Sequence, residues 1–236
     1  MTKVKTVFAY ELSLIHDKNI KQFVITCFDK FCPDYFWTCP CSTSGKYHPQ
    51  VALGVGGLIR HTKLAVWWGI ELLKALSSSY DLKIIPPIQL QDEVTATLLL
   101  HDMIKNGKGL DAQGRPLDRS VTGTHGVTLA EKIDNKGLED KLNLESWERI
   151  FNGIACHMGI WTTNPYFRPD TIAIPTLKAF AQLIHLADYT ASRKVDEIYH
   201  KLEQEKQNGI IKKTANVKKI VTQSPPCPGV RKAENG

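Results

Sequence analysis

The feature that most constrains this chain is a conflict repeated along it: apolar faces with helical spacing that each carry an ionisable side chain where a hydrophobic one is due. From Gly54 onward Leu58, His61, Ala65, Trp68 and Leu72 recur at intervals of three and four, which turns them to one face of a helix. His101 follows Leu98, Leu99 and Leu100, and His125 has Val121 and Leu129 one turn to either side. His157 shares a face with Ile150 and Ile154, and Asp188 shares one with Leu177, Ala181 and Ile184. Five helices thus aim His61, His101, Asp102, His125, His157 and Asp188 at the core. No stretch shows a two-residue alternation of comparable quality and no internal repeat is visible, so the chain reads as all-α.

Any one inward histidine is most simply a core imidazole bonded to a backbone carbonyl. The carboxylates change the balance, because a buried carboxylate without a partner is costly and calls for a pairing group or a cation. Four imidazoles and two carboxylates match the donor preferences of Fe, Mn, Zn, Co and Ni, and two divalent ions would offset the charge of Asp102 and Asp188. Consecutive helical residues project about 100° apart, so His101 and Asp102 reach one centre only if it lies near the inner edge of their helix. From there the two oxygens of Asp102 can bridge two ions. Lys105, one turn later, points toward the same cavity and suits a phosphate.

The remaining pattern supplies the frame. The spacing predicts helices near 6–15 and 18–31, then a loop from Cys32 to Pro49 that Tyr35, Phe36 and Trp37 tuck onto the core. A helix follows from Gly54, another runs through Val94 to about Ile104, and others lie at about 122–134, 144–159 and 175–204. Breaks fall at Pro86-Pro87, between Gly107 and Pro116, and at Asn164-Pro165 with Pro169. At 236 residues, 42% of them apolar, the chain suffices for one sizeable core. The expected division is an N-terminal extension of helices and loop over 1–50, a helical-bundle domain over 51–205 and a basic tail over 206–236.

Charge and cysteine usage exclude more than they assign. Much of the formal charge of +6 comes from the tail, which reads as a solvated segment with at most a weak attraction for anions. No signal-peptide core opens the chain, and no run approaches the roughly 20 apolar residues of a membrane helix. The expectation is a soluble cytoplasmic protein with no membrane partner. The six cysteines read as reduced thiols, and the Cys39-Pro40-Cys41 spacing is too tight for a structural zinc site.

The pattern H…HD…D, as His61, His101-Asp102 and Asp188, resembles the HD superfamily of metal-dependent phosphohydrolases. Gly56-Gly57-Leu58-Ile59-Arg60-His61-Thr62 is similar to the GGL-x-x-HT entry of several members, Leu100 to Lys105 to their L-HD-x-x-K, and Leu186-Ala187-Asp188 to their closing A-D. The resemblance spans about residues 50 to 195. His125 and His157 match the extra ligands of the dinuclear branch, which hydrolyses dinucleoside polyphosphates, cyclic dinucleotides and some nucleic-acid 3′ ends. The chain departs from the family at Met103-Ile104-Lys105-Asn106, which lacks the glycine of the HD-IGK run. It departs again at Cys156-His157, where some members carry paired histidines.

The resemblance implies an HD-domain helical bundle and a hydrolase of a phosphoester or phosphoanhydride bond in a nucleotide-type substrate. One ion would take His61, His101, Asp102 and Asp188, and the other His125 and His157, with Asp102 between them. Lys105 would neutralise phosphate, with Arg193 or Lys194 in support, while Lys46, His48 and Arg60, on or near the loop that enters the His61 helix, would contact substrate. Trp161, Tyr166 and Phe167 offer rings for a nucleobase. The rivals are a single-ion nucleotidase or deoxynucleotide triphosphohydrolase, a 3′–5′ exoribonuclease acting on an RNA or DNA end, and a module that binds nucleotide or RNA without cleaving it.

Overall fold

Residues 87–100 read PIQLQDEVTATLLL, a segment without a continuous polar face, and such a helix has to be covered on all sides. Its covering organises the chain. The computed structural model describes residues 2–42, 48–76, 78–79, 81–109, 111–113, 117 and 122–193. In chain order its α-helices are α1 (Lys3–Val7), α2 (Ala9–Ser13), α3 (Lys18–Phe31), α4 (Gly57–Leu76), α5 (Pro87–Leu100), α6 (His125–Asp134), α7 (Leu144–Cys156) and α8 (Pro175–Ala191). Every residue of α5 from Asp92 to Leu100 is buried. Around it pack α3, α4 and α7, while α8 packs against α4, α5 and α7, and α6 lies on α7. No strand occurs among the described residues, and none of their helices is long and apolar enough to cross a membrane.

The two carboxylates buried within α5 are satisfied locally. Asp92 accepts the backbone N–H of His16 at 2.9 Å and of Asp17 at 2.7 Å, which fixes the entry to α3. Glu93 accepts two bonds from Arg149, at 2.5 and 2.8 Å, with Ser146 at 2.6 Å and Gln89 at 2.9 Å. The N-terminal segment shares the core through Val4, Phe8, Leu12 and Ile15. Phe36 is fully buried against Phe8, Phe28 and Trp37, so the aromatic stretch tucks its loop onto the core as its composition suggests.

Several element boundaries differ from the sequence reading, and α4 begins at Gly57 rather than Gly54. The helix expected over 6–15 is broken at Phe8, whose backbone (φ −109°, ψ 32°) leaves helical space while its ring enters the aromatic cluster. The helix expected to reach Ile104 ends at Leu100, and the chain continues in tight turns: Met103 N–H to Leu100 O, Lys105 N–H to Asp102 O and Gly107 N–H to Ile104 O. At the opposite ends of the next two helices, α6 begins at His125 rather than 122 and α7 stops at Cys156 rather than 159. The part of the expected last helix beyond Arg193, like the tail over 206–236, lies outside the described residues.

Candidate metal centre

Those early terminations have a chemical consequence. The last carbonyls of a helix have no partner within it, and a histidine placed at the terminus can fold its ring back onto one. His101, the residue after α5, sets Nδ1 2.6 Å from Leu98 O, and His157, the residue after α7, sets Nδ1 2.7 Å from Ile154 O. His125, the first residue of α6, sets Nδ1 2.9 Å from Thr122 O. A carbonyl only accepts, so Nδ1 carries a proton in all three rings and Nε2 is the nitrogen turned inward, where the neutral ring offers a lone pair.

The inward atoms form two groups that share Asp102. Around its Oδ2 stand His61 Nε2 at 3.4 Å and His101 Nε2 at 3.6 Å, and Asp188 Oδ1 lies 3.0 Å from His61 and 3.6 Å from His101. Around its Oδ1 stand His125 Nε2 at 2.8 Å and His157 Nε2 at 3.5 Å. Across the rings, His101 Nε2 is 3.3 Å from His61 Nε2, and His125 Nε2 is 3.0 Å from His157 Nε2. The four imidazoles and Asp102 are buried.

These residues fit divalent ions on two counts. Donor atoms about 2.1 Å from one ion stand roughly 3.0–3.4 Å apart in tetrahedral or octahedral geometry, which is close to the spacing within each group. The lone pairs on Nε2 of His125 and His157 face each other at 3.0 Å, a repulsive arrangement unless a cation or proton lies between them. The electrostatics point the same way. Burial works to raise the carboxyls of Asp102 and Asp188, yet Lys105 with His101, His125 and His157 holds Asp102, and His101 with His61 holds Asp188, well below the usual carboxylate range. Burial likewise opposes charge on His61, but Cys41, Asp102 and Asp188 raise it well above the ordinary imidazole value. On His125 burial prevails and the value falls.

Lys105 joins the cluster because of the same tight turns. Three-residue turns superpose side chains three apart, and Lys105 Nζ lies 2.6 Å from Asp102 Oδ2. A cavity of about 540 Å³ opens on this centre, lined in part by Lys105, His125, Asp188 and, at its mouth, Trp161, Tyr189 and Arg193. Trp161 and Tyr189 stack with centroids 5.4 Å apart, and the Arg193 guanidinium lies 4.0 Å over the Tyr189 ring. Tyr166 and Phe167 do not line this cavity. Arg60 is committed elsewhere: its guanidinium donates to the carbonyls of Val51, Leu53 and Val55 and clamps the loop before α4. Lys46 and Lys194 lie outside the described residues.

Sequence reasoning named His48 near the loop that enters the His61 helix, and His48 lines the cavity, but it missed Cys41. Cys41 Sγ and one ring nitrogen each of His48 and His61 lie within 4.8 Å of one another, and Lys105 Nζ is 3.5 Å from the sulfur. Burial pushes the Cys41 thiol up, but the charges of His61 and Lys105, with hydrogen bonds from His48 and His61, outweigh it and bring it to about 5. Neither Cys27 nor Cys32 belongs to this group. A loop has no periodicity to announce such a placement. No family model matches the chain, and neither the curated proteins nor the solved structures compared with it contain a match.

Proposed function

We propose that the chain is a phosphohydrolase of the HD type that binds two divalent ions and cleaves a phosphoester or phosphoanhydride bond of a nucleotide-type substrate. The observation that carries this reading is the double-sided Asp102: Oδ2 faces His61 and His101, and Oδ1 faces His125 and His157. A single-ion nucleotidase would leave the donor group of His125, His157 and Asp102 Oδ1 without an ion, and the presence of that second group favours two ions over one. When bound, a pair of divalent ions neutralises phosphate charge and acidifies water.

The chain's own groups then have separable tasks. Asp102 and Asp188 hold negative charge at the floor of the cavity, and the three terminal histidines hold their Nε2 lone pairs inward through Nδ1 bonds to carbonyls. Lys105 lines the cavity and rests on Asp102 Oδ2, so it is placed to exchange that carboxylate for a substrate phosphate. Arg193 sets a second cation at the mouth, beside the stacked Trp161 and Tyr189. A volume of about 540 Å³ suits a small nucleotide, within the range of ordinary ligand pockets.

The test is phosphate or nucleotide release from mononucleotides, dinucleoside polyphosphates, cyclic dinucleotides and short RNA, each with Mn, Fe(II), Co or Mg, against Asp102→Ala. Turnover of one class that vanishes in the variant supports the proposal and identifies the substrate. Turnover that survives the substitution, or no turnover of any class by a protein that binds these nucleotides, overturns it.

A further inference from the structure

His61 breaks a rule that the other three histidines obey. His101, His125 and His157 sit at helix termini and fix their outer nitrogen on a backbone carbonyl three residues back. His61 lies inside α4, where carbonyls belong to the helix ladder, and the one three residues back, Leu58 O, also accepts from Thr62 Oγ1 at 2.9 Å. Its Nδ1 is buried and without a hydrogen-bond partner, while a ring nitrogen of His61 lies within 4.8 Å of Cys41 Sγ. An imidazole that is to present Nε2 to a cation needs its other nitrogen held, because that bond fixes both tautomer and ring orientation.

We propose that the Cys41 sulfur is the positioning partner of His61, accepting a hydrogen bond from Nδ1–H and so turning Nε2 toward Asp102 and Asp188. The donors around this sulfur outnumber any acceptor nearby: Lys105 Nζ stands 3.5 Å from it, and His48 brings a buried Nε2 that likewise lacks a partner. The His48 ring meets the His61 ring edge to face at 5.6 Å. One sulfur thus stands beside two ring nitrogens that lack a partner, on His61 and His48, and beside the ammonium of Lys105, which also rests on Asp102.

The backbone holds Cys41 in this place. Its N–H donates to Ala52 O at 3.0 Å, and at the start of α4 Leu58 N–H donates to Cys39 O at 3.1 Å. Gly57 makes the approach possible: a Cβ there would stand 2.2 Å from Ala52 O and 3.0 Å from Cys41 N. The glycine that opens α4 therefore lets the cysteine segment lie against the helix bearing His61. Cys41 touches neither Asp102 nor Asp188 in this arrangement; it acts on the cation position through His61.

This inference rests on the two-ion reading, and its test separates the two. In the ion-free full chain, ring-nitrogen NMR of ¹⁵N-labelled histidine is compared among the wild type, Cys41→Val, which lacks an acceptor, and Cys41→Ser, which keeps one. The Val variant should shift the His61 nitrogens and leave those of His101, His125 and His157 in place, and the Ser variant should stay near the wild type. Equal behaviour of the two variants overturns the proposal, because packing rather than acceptance would then be at work. With Co²⁺ added, Cys41→Val should weaken the ion position that includes His61 roughly ten- to hundredfold while the other position holds. A sulfur-to-cobalt charge-transfer band in the wild type would make Cys41 a ligand and overturn the positioning role. Failure of the wild type to bind Co²⁺ would sink the two-ion reading, while the NMR comparison still decides the role of Cys41.

Discussion

Glu93 and Asp102 stand nine positions apart on and just beyond α5, both buried, and they are answered in opposite ways. Glu93 is closed: a two-pronged Arg149, Ser146 and Gln89 fill its lone pairs from within the fold. Asp102 is open: apart from Lys105, it is surrounded by imidazole nitrogens, and the cavity reaches it. A buried charge neutralised by an opposite charge fixes the packing of two helices. A buried charge surrounded by imidazole nitrogens gathers donors for a cation brought from outside.

The comparison is broken most sharply at Asp102. Asp102→Asn keeps the shape but removes the charge, and turnover of the identified substrate should fall by roughly 10³-fold or more, read from kcat/KM. Arg149→Met is the counterpart. It leaves Glu93 buried and uncompensated, and should destabilise the fold by about 3–5 kcal/mol in denaturant titration, with ion content per folded chain unchanged. Were ion binding lost along with stability, the two regions would not be independent. Lys105→Met should lower kcat/KM on the order of 10–100-fold with both ions retained, placing the lysine on substrate rather than in the ion set.

The smallest effect is on pH dependence, and its sign follows from the shifts. The folded state raises His61 above 6.5 and lowers Asp102 and Asp188 below 3.8. Without ions, the stability from these groups is complete between those two values. It declines below 3.8 as the carboxylates protonate through their depressed values, and above 6.5 as His61 loses its proton through its raised one. Divalent ions need neutral imidazole and ionised carboxylate, so added Mn²⁺ should restore stability on the alkaline side. Thermal melts across pH with and without the ion check this.

The sequence made the six inward donors legible because each lies on an apolar stripe with helical spacing, and burial of that stripe carries its donor inward. Periodicity did not reveal where the helices stop. His101, His125 and His157 become oriented donors only because α5 and α7 end just before, and α6 begins at, their positions. The place of Cys41 was illegible for a related reason: its N–H bond to Ala52 O, the bond from Leu58 N–H to Cys39 O, and the missing side chain of Gly57 set it against α4. Arg60 looked like a ligand contact in sequence, yet three loop carbonyls occupy it.

The central claim is that Asp102 joins two cation positions, and the ion content of the folded protein tests it most directly. Elemental analysis after dialysis against Mn²⁺ should find about two ions per wild-type chain and a loss at both positions in Asp102→Asn, since Oδ1 and Oδ2 face separate histidine pairs. No bound ion in the wild type, or an undiminished pair in the variant, would contradict the account.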